Sequence, residues 1–194
     1  VCDYGNPPFA RWFVGGQTNL CHNAVDRHLA TRAEQNALIF VSTETDEERV
    51  YSFRELHAEV QRMAAILQSL GVRQGDRVLI YMPMIAQAAF AMLACVRIGA
   101  IHSVVFAGMG TQALRSRIVD CQAKVIVCSD YTFRRGKKIS LKPTIDEAVR
   151  ALTFVEHVVV HRRGSRPGDA PYAFESVREV DFYDIQQARE IHCH

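Results

Sequence analysis

The chain has 194 residues, of which 48% are hydrophobic and 23% charged, with a formal net charge of +2. That length suits one domain with a real core, or a piece of a larger one, and the composition is ordinary for a globular protein. The charge balance gives no global case for a nucleic-acid binder, and the longest wholly apolar run, Ala88 to Val96, is well short of the ~20 residues of a membrane span.

Residues 1–19 read as irregular, with Pro7, Pro8, Gly15 and Gly16, and Trp12 and Phe13 are expected to anchor the segment onto the domain. No basic-then-apolar leader pattern opens the chain, and Val1 rather than Met leads to the expectation that it begins inside a longer product. Asn19 can cap a helix from Leu20 to about Ala33. Ala37 to Val41 is a predicted strand, and with Val50 and Tyr51 across an acidic turn it suggests a hairpin.

Ser52 and Glu55 have capping-box spacing, and Phe53, Leu56, Val60, Met63, Ala64, Leu67 and Leu70 recur on one helical face. Gly71 stands where a helix-ending glycine belongs. Then comes a βαβ pattern: a strand from Val78 to Met82, an almost wholly apolar helix from Ile85 to Ile98, and a strand from Ser103 to Phe106. A loop from Ala107 to Gly110, a helix from Thr111 to Cys121 and a strand from Lys124 to Cys128 extend it. Ser129 to Lys142 reads as a polar, basic connection, followed by a helix from Pro143 to about Leu152 and a fourth strand from Glu156 to Val160. His161 to Pro171 reads as a loop, and beyond Tyr172 the pattern is weak. The fold class is therefore α/β, a parallel sheet with flanking helices. Six cysteines without a CxxC pair suggest reduced thiols in a cytoplasmic protein.

Ligands of parallel sheets bind beyond the carboxyl ends of the strands. The ends at Met82, Phe106 and Cys128 put three loops on one edge. One loop contains Gly108 and Gly110, and another carries Arg134, Arg135, Lys137, Lys138 and Lys142 without an intervening acid. That combination suits phosphate, but a solvated basic loop has the same pattern, and pattern alone leans towards the solvated reading. Arg134 to Lys138 lacks the aromatic array of a nucleic-acid patch, and His192-Cys193-His194 has no second ligand pair for a metal. Cys21, His22 and His28 share a helix but lack an acidic orienter, so packing or surface positions outweigh a catalytic dyad.

Nearly the whole chain resembles the acyl-adenylate-forming enzymes, in their acetyl-CoA and propionyl-CoA synthetase branch. The resemblance is carried by Trp12 to Gly16, Thr18 to Leu20 and Asn23 to Leu29, by Tyr51 to Leu56, by Tyr81 to Met84, by Ala91 to Phe106 and by Glu156 to Val160. It implies that residues 1–49 are an N-terminal segment and that 50–194 are the N-terminal part of the large domain of an adenylate-forming enzyme. In this branch an Arg-x-Gly-Arg/Lys loop contacts the 3′-phosphorylated ADP end of coenzyme A. Here it is matched by Arg134, Arg135, Gly136 and Lys137. The branch's Phe-Gly-Gly-Phe loop, beside the nucleotide end, is matched by Phe106, Ala107, Gly108 and Met109. The alanine and the methionine depart from it and imply altered backbone approach and stacking there.

The resemblance further implies an acid–thiol ligase that uses a short carboxylic acid, ATP, Mg2+ and CoA, with no nucleic-acid or membrane partner. Its ATP phosphate loop, adenine-reading motifs and catalytic lysine are not among these residues, so no catalytic residue and no metal ligand are assigned. CoA is the one cosubstrate expected to touch this piece. The missing C-terminal remainder would be its partner. The alternative is an inactive or regulatory fragment that binds CoA or nothing.

Overall fold

The computed structural model describes residues 2–164, 176 and 178–183. The chain opens with an antiparallel hairpin, β1 (Cys2–Asn6) and β2 (Phe9–Trp12), rather than irregular coil. The hairpin forms a two-stranded sheet of its own. Among the described residues Trp12 stays 62% and Phe13 68% exposed, so neither is an anchor.

The helix expected from Leu20 to Ala33 is broken into three pieces. They are α1 (Leu20–Ala24), a 3-10 turn at Asp26–His28 and α2 (Leu29–Arg32). The break falls at Val25 (φ −127°, ψ −65°). It lets Cys21 and Val25 enter the core while the Asp26 carboxylate turns to Arg97.

β3 (Asn36–Ser42) and β4 (Glu47–Ser52) form the expected hairpin. It leads into α3 (Phe53–Ser69). The capping box is reciprocal: Ser52 Oγ accepts from the Glu55 backbone N–H at 3.2 Å, and Glu55 Oε2 accepts from the Ser52 N–H at 2.8 Å. Leu56, Val60, Met63, Ala64 and Leu67 are buried, as the periodicity requires. Gly71 has φ +77°, the left-handed value a terminating glycine supplies without strain.

Next come β5 (Arg77–Met82), α4 (Ala86–Arg97), β6 (Ile101–Phe106), α5 (Thr111–Cys121) and β7 (Val125–Ser129). The basic connection folds as β8 (Tyr131–Arg134) and β9 (Lys137–Ser140). Then α6 (Lys142–Val149), β10 (His157–His161) and β11 (Glu179–Asp181) complete the described fold. The helix expected to reach Leu152 stops at Val149, where Arg150 turns extended (ψ 127°). β11 was not legible in the sequence: three residues are too short to show a period.

The main sheet has five strands in the order β11-β10-β7-β5-β6, and every pairing in it is parallel. Strand alternation sends Val78 and Ile80 into one core with α3 and α4, and Leu79 and Tyr81 into a second core with α5 and α6. The strand order runs one way from β5 to β6 and the other way from β7 to β10. With right-handed crossovers, that reversal puts α4 on one face and α5 and α6 on the other. The carboxyl ends of β5 and β7 flank the switch point, where such sheets open a crevice. No helix among the described residues is long and apolar enough to cross a membrane.

α4 is as buried as its composition demands, and its one charged residue is buried with it: Arg97 is 2% exposed. The guanidinium donates to both Asp26 oxygens, at 2.8 and 2.7 Å, and to Cys21 Sγ at 3.4 Å. Nearby, Asn19 caps α1 by accepting from Cys21 N, and its amide donates to the Val96 carbonyl at the end of α4. The N-terminal segment is thus stapled to α4, the helix of the βαβ unit, by polar groups.

Candidate functional site

The pairings Met82↔Phe106, Tyr81↔Cys128 and Cys128↔Val160 bring four strand ends to one edge. A groove of about 690 Å3 opens there, between the loops after β5 and β6, the β8–β9 hairpin and the β3–β4 turn. Met84, Val104 and Phe106 are among its apolar lining residues, Arg134, Arg135 and Arg163 are its basic ones, and Glu44 contributes an acid. Met84 and Phe106, at 92% and 64% exposure, are unusually open for large apolar side chains.

The basic segment is a hairpin, not the expected loop. Phe133 faces Lys138 and Arg134 faces Lys137 across it. Arg135 (φ 52°) and Gly136 (φ 74°) form the turn, and two successive positive φ values are what a type I′ turn needs. A Cβ on Gly136 would meet no other protein atom within 4 Å, and its φ of +74° serves the turn. Arg135-Gly136, a two-residue turn between short alternating runs, is the sequence signal that would have revealed the hairpin. Arg134 and Lys137 stand directly opposite each other, a like-charge pairing that is destabilising without a counter-ion. Among the described residues, no carboxylate pairs with Arg134, Arg135, Lys137 or Lys138.

Lys142 leaves this cluster. Its ammonium contacts Asp146 at 2.6 Å and Glu179 at 2.5 Å, below α6. Burial depresses its pKa, but the bonds to Asp146 and Glu179 outweigh that, and the net shift is upward. Lys138 lies over the Tyr131 ring, 3.8 Å from its centroid.

In the Phe106 loop the two residues that differ from the branch pattern turn inward. Ala107 is buried in the α5–α6 core, and Met109 packs against that core while its carbonyl accepts from Tyr81 Oη at 2.8 Å. Both departures from the glycine-rich pattern are absorbed inward. Gly108 has its own local reason: a Cβ there would come 2.5 Å from the Phe106 ring. Of the residues singled out in the sequence, Phe106, Arg134 and Arg135 line the groove. Gly136 and Lys137 form the hairpin tip and the first residue beyond it, and Gly108 lies under the Phe106 ring. Arg163 escaped sequence reasoning. The strand-end rule, applied to the fourth strand as well, would have reached it.

A second cavity of about 530 Å3 adjoins the first and is lined by Tyr51, Gln87, His161 and Tyr183, with Arg163 shared between the two. Burial, with Arg163 and Arg162 adding like charge, pushes the His161 pKa down to about 3. Burial pushes the Tyr51 hydroxyl up to about 12. The Cys95 thiol is likewise pushed up to about 12 by burial, which makes it inert as a nucleophile. Cys21 packs on Arg97, and His28 lies on the Phe53 ring at 4.8 Å, so neither forms part of a dyad. The terminal His-Cys-His tract lies outside the described residues.

A parallel sheet with helices on both faces and a groove at its switch point places the chain in the doubly wound α/β class. The chain belongs to the AMP-binding enzyme family: residues 25–190 match that family's model, and residues 1–24 match the model described as the acetyl-coenzyme A synthetase N-terminus. It is 51% identical, over 95% of its length, to a propionate–CoA ligase of Escherichia coli, and covers 29% of that protein. It is 48% identical, over 90% of its length, to an acetyl-coenzyme A synthetase of Methylobacterium radiotolerans, and covers 26% of it. Its fold matches the solved acetoacetyl-CoA synthetase of Streptomyces lividans with a TM-score of 0.83 at 29% identity, over 97% of this chain and 28% of that one. The chain thus spans under a third of the length of the relatives it matches.

Proposed function

We propose that this chain is part of a short-chain acyl-CoA synthetase and supplies scaffold and coenzyme A contacts to it. In the complete reaction the carboxylate of acetate or propionate attacks the α-phosphate of ATP, with magnesium, giving acyl-adenylate and pyrophosphate. The CoA thiol then attacks the adenylate carbonyl, giving the thioester and AMP. Residues 1–49 are read as the N-terminal segment and 50–194 as the opening part of the large domain.

The observation that supports the coenzyme role is the groove. An adenine nucleotide bearing phosphates needs an apolar floor and cations at one end, and Phe106, Met84, Arg134 and Arg135 provide both kinds of surface. Arg134 can fork onto a phosphate, and Lys137 adds a point charge opposite it. A bound phosphate also relieves the like-charge pairing of the hairpin.

The test is Arg134→Ala in the complete polypeptide that carries this chain. Loss of a charge-assisted contact is expected to raise the Michaelis constant for CoA about 10- to 100-fold, with acid-dependent pyrophosphate exchange unchanged. Equal losses in exchange and thioester formation overturn the assignment. Residues 1–194 on their own are expected to form no acyl-CoA, because the ATP-handling motifs of the branch are not among them. Acyl-CoA produced by the purified 1–194 polypeptide from acid, ATP and CoA refutes that expectation.

A further inference from the structure

We infer that Arg163 is a positioning residue for the cationic hairpin, fixing β8 against the end of β10 so that Arg134 and Arg135 face the groove as one surface. The inference rests on the coenzyme reading of that groove and adds a residue to it.

Arg163 follows β10, which pairs in parallel with β7, so it emerges on the same edge as the hairpin. Its backbone N–H donates to Asp130 Oδ1 at 3.1 Å, and the same oxygen accepts from the Tyr131 N–H at 2.9 Å. Asp130 N–H in turn donates to the His161 carbonyl at 3.0 Å, and the Leu141 N–H donates to the Asp130 carbonyl at 2.8 Å. Both feet of the hairpin are therefore tied, through Asp130, to the last residues of β10.

The side chain extends this tie along β8. The guanidinium lies 5.2 Å from the centroids of both Tyr131 and Phe133, which meet edge to face at 5.6 Å. Tyr131 and Phe133 share one face of β8, and Thr132 and Arg134 share the other, because side chains alternate. A group that grips the first face sets the direction of the second. A planar, delocalised cation suits two aromatic partners in a way a compact ammonium does not. Arg163 Nη1 is inaccessible to solvent and has no hydrogen-bond acceptor among the described residues, so the rings are the contacts that hold this end of the side chain. These features argue for holding the hairpin from the edge of the groove that Arg163 also lines.

The experiment uses the complete polypeptide that carries this chain, with CoA and dephospho-CoA as alternative thiol substrates. Arg163→Ala is expected to raise the Michaelis constant for CoA about three- to tenfold, to narrow the preference for CoA over dephospho-CoA, and to leave kcat and pyrophosphate exchange unchanged. Arg163→Lys is expected to restore only part of the loss. Phe133→Leu, which removes a ring that Arg163 contacts and keeps the arginine and the Lys138–Tyr131 contact, is expected to reproduce the alanine phenotype, and it decides the question if Arg163→Ala does not fold. A wild-type constant for CoA in Arg163→Ala, beside a raised one in Arg134→Ala, overturns the inference and leaves the coenzyme reading standing. Normal constants in both variants overturn the reading and the inference together. Full recovery in Arg163→Lys assigns the effect to charge alone and overturns the positioning role, and so does a parallel fall in exchange.

Discussion

Asp26→Ala is expected to destabilise the fold by about 3–5 kcal/mol, the usual cost of leaving one member of a buried ion pair without its partner. The stranded group is Arg97, 2% exposed inside α4, which now holds Asp26 through two hydrogen bonds. Total stability of a domain is about 5–15 kcal/mol, so this loss is a large share of it. Arg97→Ala is expected to cost a similar amount, through the cavity as well as the lost pair. The double variant Asp26→Leu/Arg97→Met is expected to be less destabilised than either single, because an apolar pair needs no compensation for desolvation. Urea denaturation followed by circular dichroism measures the stability of all four proteins. A loss under about 1 kcal/mol in Asp26→Ala, typical of a surface pair, contradicts the staple.

His161 is expected to make stability fall with acid. Its folded pKa, near 3, lies below the 6.5 of a solvated imidazole because the ring is buried beside Arg163 and Arg162. The native state therefore keeps the ring neutral where the unfolded chain protonates it. The contribution is complete above pH 6.5 and is lost as pH falls from there towards 3. Each unit is worth about 1.4 kcal/mol, so roughly 2.7 kcal/mol is gone by about pH 4.5. His161→Phe removes the titration and keeps an aromatic ring against Phe182 and Tyr183, whose centroids lie 5.2 and 5.6 Å away. The variant should lose about 2–3 kcal/mol less than the parent between about pH 7.5 and pH 4.5. Identical pH profiles for the two proteins rule out a neutral buried His161.

These two sites show where sequence reading stops. Arg97 was visible as the odd polar residue of an apolar helix, but its partner lies 71 positions away. His161 was assigned to a loop, whereas it is the last residue of β10, paired with Ser129 of β7. The groove was half legible. Its β6 wall and its basic side followed from the strand-end rule, while Arg163 did not, and Lys142 was wrongly grouped with it.

What could be read from residues in order was whatever is settled within a turn or two of chain. The Ser52–Glu55 box, the buried stripe of α3, the stop at Gly71 and the β-α-β succession from Arg77 to Ser129 are of this kind, since helix caps and side-chain periods depend on near neighbours. The motif resemblance likewise named a family that the comparisons then established. What depended on the folded chain was everything set by contacts between distant segments. The break at Val25 goes with the turn of Asp26 towards Arg97. The hairpin in the basic segment depends on Asp130 tying its feet to β10 as well as on its turn. Lys142 is drawn off by Glu179, and Trp12 stays exposed among the described residues. Those outcomes turn on desolvation and charge pairing, which become defined only when the sheet has brought the partners together.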